Sequence, residues 1–185
     1  MKKVKGNLDT STLSLIFALA WPTMLSEFLG TAIQYIDTAM VGSLGTYATA
    51  AVGSTSTVNW LVGSTVSAIG VGFLAYISQA FGAKEPQRAK KASAQAVTVT
   101  LVSGIVFTAI IVPLGSYVPT WMNVDPLVRK EAEIYFKILY APMLFRTASI
   151  ILGMVLRSAG DTKTPMRVGI LTNVLDVVLN FLLIY

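Results

Sequence analysis

The chain has 185 residues, 54% of them hydrophobic and only 12% charged, with 14 Lys and Arg against 9 Asp and Glu. A soluble domain carries about twice that share of charge. Together with a mean hydropathy of +0.68, this excludes an ordinary soluble enzyme or nucleic-acid-binding domain. The sequence contains no Cys and no His, which removes disulfides, thiolate nucleophiles, His-based catalysis and most transition-metal sites.

A membrane helix needs about 20 apolar residues, and five such segments can be read along the chain. The first covers roughly residues 13–41 and follows Lys2, Lys3 and Lys5. Charge followed by an apolar run is also the order of a signal peptide. Here Trp21-Pro22 stands where a small-residue cleavage site belongs, so a retained helix is expected. Glu27 and Asp37 interrupt this span. Pro22 should kink the helix or sit in its first turn. A kinked helix carrying a carboxylate is a candidate moving part for alternating access, and a static kink is the plainer reading.

The second and third spans, roughly 51–81 and 92–118, come from two long uncharged tracts. One lies between Asp37 and Lys84, the other over Ala92–Val124. Gly53, Gly63, Gly70 and Gly72 recur among Ser, Thr and Ala in the second span, which favours close helix packing. Val124-Asp125-Pro126 then opens an amphipathic segment with Arg129, Lys130, Glu131 and Glu133. The fourth span, roughly 135–156, contains Arg146. The fifth, roughly 166–185, is apolar except for a few polar residues. No segment shows the alternation of a barrel strand, so the expected fold class is an all-α, polytopic membrane protein.

The basic residues give the orientation. Those near the N-terminus, Lys84, Arg88, Lys90 and Lys91 after the second span, and Arg157, Lys163 and Arg167 after the fourth all fall on one side. Arg129, Lys130 and Lys137 fall on the other. Positive-inside bias then predicts a cytoplasmic N-terminus and residence in the cytoplasmic (plasma) membrane. The basic pI of about 9.5 is a topology signal, and no nucleic-acid partner is expected.

Ionisable groups inside a span are expensive, about 2.5–3.5 kcal/mol at a helix centre on insertion scales. Glu27, Asp37, Arg146 and Asp176 are therefore candidate functional residues. Asn173, Asp176 and Asn180, spaced i, i+3 and i+7, share one helix face. That face suits Na⁺ or a carboxyl that takes up a proton, and equally an interhelical hydrogen-bond ladder. Asp37 is either part of such a site or an interfacial carboxylate. Glu27 and Arg146 lie at comparable depth and are expected to form a buried ion pair. No phosphate-binding loop and no nucleophile–base pair occurs. An enzyme is not expected, nor a cofactor, nor a metal beyond Na⁺; the energy source would be an ion gradient.

Several separated segments carry a family likeness. They are Ala20-Trp21-Pro22 with Ile36-Asp37-Thr38-Ala39-Met40-Val41-Gly42, then Ser78-Gln79-Ala80-Phe81-Gly82-Ala83-Lys84 with Arg88-Ala89-Lys90-Lys91. The most specific is Leu156-Arg157-Ser158-Ala159-Gly160-Asp161-Thr162-Lys163-Thr164-Pro165-Met166, followed by Asn173 and Leu179-Asn180. In this order they resemble the multidrug and toxic compound extrusion (MATE) family.

That resemblance implies a twelve-helix fold in two lobes of six, with this chain supplying five helices of the N-lobe and lacking the C-terminal lobe. It implies a secondary active transporter that couples Na⁺ or H⁺ entry to export of drugs, organic cations or metabolites, cationic or amphipathic in character. It also implies that Asp37 takes part in cation coupling together with Asp176 and Asn180. Asp176 stands where Asn is common in the family, and Asn180 where some relatives carry Asp, so the carboxylate is shifted by one turn. Arg146 inherits no role. In the Gly160-Asp161-Thr162 turn, Asp161 is expected to cap the backbone or pair with a loop base, and Pro165 to open the next helix; the loop is structural or gating. Alternative readings are a lipid-linked sugar flippase of the wider superfamily and a non-transporting membrane subunit. The length is then that of less than half a transporter, ending within its fifth helix.

Overall fold

The computed structural model describes residues 10–185; the basic N-terminal run at Lys2, Lys3 and Lys5 lies outside the described residues. In chain order the helices are α1 (Thr10–Ser43), α2 (Thr46–Gly82), α3 (Pro86–Leu114), α4 (Val118–Trp121), α5 (Arg129–Tyr140), α6 (Met143–Ser158) and α7 (Lys163–Ile184). No strand occurs among the described residues. Helices α1, α2, α3 and α7 are each long and apolar enough to cross a membrane. Helices α5 and α6 pass the same test together, bent by 49° at the break between them.

That break divides the span expected over 135–156. Its cause is local. Pro142 has no backbone N–H and its ring clashes with the turn before it, so α5 stops at Tyr140 and α6 restarts at Met143. Arg146 consequently sits in the first turn of α6 rather than in mid-helix. The third span is also displaced towards the N-terminus of its uncharged tract and ends at Leu114. It begins at Pro86, so Arg88, Lys90 and Lys91 occupy its first turns instead of a connecting loop.

Packing is uneven. Helix α6 packs mainly against α2 and α3, while α1 packs mainly against α7. The main core joins Val62 and Val66 of α2, Ala96 and Ile111 of α3, Val118 of α4, Phe136 and Tyr140 of α5, and Met143 and Ile151 of α6. Two glycines permit this approach. A Cβ on Gly104 would lie 2.6 Å from Leu144 Cδ1 and 2.9 Å from its Cα, and one on Gly70 would lie 2.6 Å from Met154 Sδ. Helices α1 and α7 contribute nothing to that core. Pro22 is the one buried side chain described in α1, and α7 has none. Their outward Phe17, Phe28, Leu182 and Leu183 are exposed, as expected of surfaces that meet lipid.

The turn into α7 is built by local chemistry. Gly160 takes a positive φ of 89°. Asp161 Oδ1 then accepts hydrogen bonds from the backbone N–H groups of Lys163, at 3.1 Å, and Thr164, at 2.9 Å. Asp161 therefore caps the helix, the first of its two expected roles. Pro165 lies in the first turn, where a missing N–H removes no intrahelical bond. The hydrogen bonds from Thr164, side chain then backbone, hold the Asp161 carboxyl below its ordinary range.

Candidate functional site

Asp37 stands near the end of α1, facing α7. There Asn180 Nδ2 donates to Asp37 Oδ1 at 2.9 Å. One turn earlier on α7, the Asp176 carboxyl lies beside Asp37. The i, i+4 spacing of Asp176 and Asn180 puts both on the face that meets α1. All three residues are half-buried. Just beyond them the Tyr185 hydroxyl donates to Ser43 Oγ at 2.9 Å, tying the same ends of the two helices together.

Asn173 does not join this cluster. It lines an apolar cleft of about 270 Å³ between α1 and α7, with Leu29, Ile33 and Val177. The cluster holds two carboxylates and one amide, and no group of three or more His, Cys, Asp or Glu that could hold a metal ion occurs among the described residues. Its oxygen donors suit a proton or a hard monovalent cation.

A second polar group lies across the lobe. Arg146 Nη1 donates to Asn59 Oδ1 of α2 at 2.7 Å. The Tyr140 hydroxyl reaches the same oxygen at 3.5 Å. Gly63, one turn further along α2, lies beneath the guanidinium: a Cβ there would be 3.6 Å from Arg146 Nη2. Tyr135 of α5 lies near both Arg146 and Asp37.

The expected Glu27–Arg146 ion pair does not form. The ion pairs among the described residues are Arg88–Glu85, at 3.1 Å, and Lys137–Glu133, at 2.6 Å. Glu27 precedes Asp37 by ten residues, about 15 Å along a helix at 1.5 Å per residue, whereas Arg146 is turned to Asn59 of α2. Glu27 lines instead a separate cavity of about 630 Å³ with Ser26, Ser67, Arg157 and Pro165. Pro22 is buried inside α1, which stays helical on both sides of it. It lies well beyond the first turn, the other of the two positions expected for it.

Sequence reasoning missed Asn59, Tyr135 and Tyr140. The signal for Asn59 was available: it is the one amide in the uncharged tract between Asp37 and Ser78.

Membrane-crossing helices with ionisable side chains facing inward define a polytopic integral membrane protein with a polar interior. The family model MatE matches residues 22–182, and the chain belongs to the MatE family. It is 26% identical over 170 residues to the "Probable multidrug resistance protein NorM" of Thermotoga maritima, covering 92% of this chain and 37% of that protein. It is 31% identical over 159 residues to the "Probable multidrug resistance protein YoeA" of Bacillus subtilis, covering 85% of this chain and 34% of that protein. The chain thus spans little more than a third of the length of these relatives. A solved MOP superfamily transporter from Pyrococcus furiosus, described as having a binding pocket of reverse polarity that suggests a different function, shares the fold. Its TM-score is 0.88 at 24% identity, over 92% of this chain and 38% of that one.

Proposed function

We propose that this chain forms the ion-coupling lobe of a secondary active transporter that exchanges Na⁺ or H⁺ for an amphipathic organic compound. The observation that carries the reading is the contact of Asp37 with both Asp176 and Asn180 across α1 and α7. Two carboxylates in such contact repel unless a proton or cation stands between them. An ion bound there draws α1 and α7 together, and its departure releases them, which biases a two-state element.

The shift of the carboxylate to Asp176 leaves the acidic group still opposite Asp37. Pro22 marks where α1 bends in the exchange, and the Gly160–Pro165 turn anchors the other end of α7. The lobe sits in the plasma membrane with the N-terminus cytoplasmic. The additional length of the relatives supplies the opposing lobe that closes over the substrate.

The test reconstitutes the transporter containing this chain in liposomes and measures ethidium efflux under an imposed Na⁺ or proton gradient. Efflux should follow one of the two gradients, and Asp37→Asn should stop it while membrane insertion and helical content stay unchanged. Efflux indifferent to both gradients overturns the coupling.

A further inference from the structure

Arg146 is a charged group that the coupling cluster leaves unused. It is half-buried in the first turn of α6, within the bent helix pair that crosses the membrane. A guanidinium stays protonated in such a setting, so its charge needs an answer. None comes from the described residues, among which Arg146 belongs to no ion pair. Asp37 is taken up by Asn180.

What holds Arg146 is neutral. Asn59 Oδ1 accepts from Nη1 at 2.7 Å and so orients the guanidinium without discharging it. A guanidinium has five donors in a fixed fork, and this bond uses one. Gly63, on the Nη2 side, lets the guanidinium lie close against the α2 backbone. The N-terminus of α6 adds charge of the same sign, because its first N–H groups carry the positive end of the helix dipole. A cation placed there to balance the helix would be misplaced, whereas a cation placed there to receive an anion is reinforced.

We propose that Arg146, positioned by Asn59, binds the anionic group of an organic substrate: a carboxylate, sulfonate or phosphate engaged by the free arms of the guanidinium. This deepens the transport reading and rests on it for the movement of the bound compound. The interior then has two poles. Helices α1 and α7 carry the carboxylates, and α2 and α6 carry the guanidinium. The anionic head of an amphipathic compound engages the second.

The test titrates the chain, in nanodiscs of neutral phosphatidylcholine, with carboxyfluorescein and reads fluorescence anisotropy, using benzoate and phenyl phosphate as competitors. The wild-type chain should bind saturably, and both competitors should displace the dye. Arg146→Gln should weaken binding by about tenfold or more, and Arg146→Lys by less, because it keeps the charge and loses the fork. Circular dichroism reports folding. Should Arg146→Gln fail to fold, Asn59→Asp serves the same end by setting a carboxylate on the guanidinium, with an equal expected loss. Gly30→Ala, which adds a methyl in open space, is the control.

Absence of saturable dye binding by the wild-type chain overturns the site. So does binding within about twofold of wild type in a folded Arg146→Gln or Asn59→Asp chain. The two readings fail separately. Anion binding alongside efflux that ignores both gradients overturns the transport reading alone, and gradient-driven efflux without anion binding overturns this site alone.

Discussion

The helix bundle has two unlike halves. Helices α2, α3 and α6 interlock around a core of Val, Ile, Phe, Tyr and Met, with glycine notches at Gly70 and Gly104 receiving Met154 and Leu144. Helices α1 and α7 touch chiefly each other, bury almost nothing and meet through Asp37, Asp176, Asn180, Ser43 and Tyr185. One half is held by shape, the other by polar contacts at one end. Shape cannot be switched by an ion, because packed side chains have no partner that comes and goes. A carboxylate cluster can be switched, so the weaker half is the one equipped to respond.

The largest expected effect falls on that half. Asp37→Asn should remove gradient-driven efflux by the transporter that contains this chain. Thermal unfolding of the purified chain should move by no more than about 0.5 kcal/mol, since no fully buried contact is lost. Loss of both folding and transport would make Asp37 a structural residue and erase the contrast.

Next comes a matched pair of glycine substitutions. Gly104→Ala drives a methyl into Leu144 side chain and backbone and should cost about 1–3 kcal/mol by overpacking, read from the thermal midpoint in detergent. Gly30→Ala on α1 meets nothing within 4 Å and should stay within about 0.5 kcal/mol. Similar shifts at the two sites would mean that the halves are packed alike.

Smaller still is the coupling between Glu27 and Arg146. They belong to different halves and form no ion pair, so the stability effects of Glu27→Gln and Arg146→Gln should add within about 0.5 kcal/mol. Rescue of one by the other would restore the ion pair that the structure lacks.

The smallest effect is pH-dependent. The Asp161 carboxyl is held below its ordinary value by its hydrogen bonds from Thr164. A lowered folded-state value means that the cap is fully formed above the unfolded carboxylate value of about 3.9 and is lost as pH falls through the depressed one. Hydrogen exchange at the Lys163 and Thr164 amides should therefore show protection that fades only in acid. Asp161→Ala should lack it at every pH.

The membrane class and the number of apolar segments were legible because uncharged tracts of that length have one physical use. The turn into α7 was legible because Gly-Asp-Thr before Lys-Thr-Pro is local chemistry that needs no partner. The shared face of Asp176 and Asn180 followed from helical period, while the choice of Asp37 as their partner came from the family likeness. Period names a face and not what the face meets, which is why Asn173, read onto the same face, ended in an apolar cleft. Depth misled for Glu27 and Arg146 because position along a span says nothing of direction around it. The break at Pro142 then moved Arg146 to a helix start. Asn59 was passed over because a neutral amide carries little insertion cost, so nothing in the tract marked it as the partner of a charge.

The length of α1 and α2 also has a consequence for the bilayer itself. Their 34 and 37 residues reach about 51 and 56 Å at 1.5 Å per residue, well beyond a hydrocarbon thickness of about 30 Å. Helices with that much length to spare tilt in the membrane or run on past the headgroups. A thicker or thinner membrane therefore acts first on the angle of α1, the helix that carries Asp37.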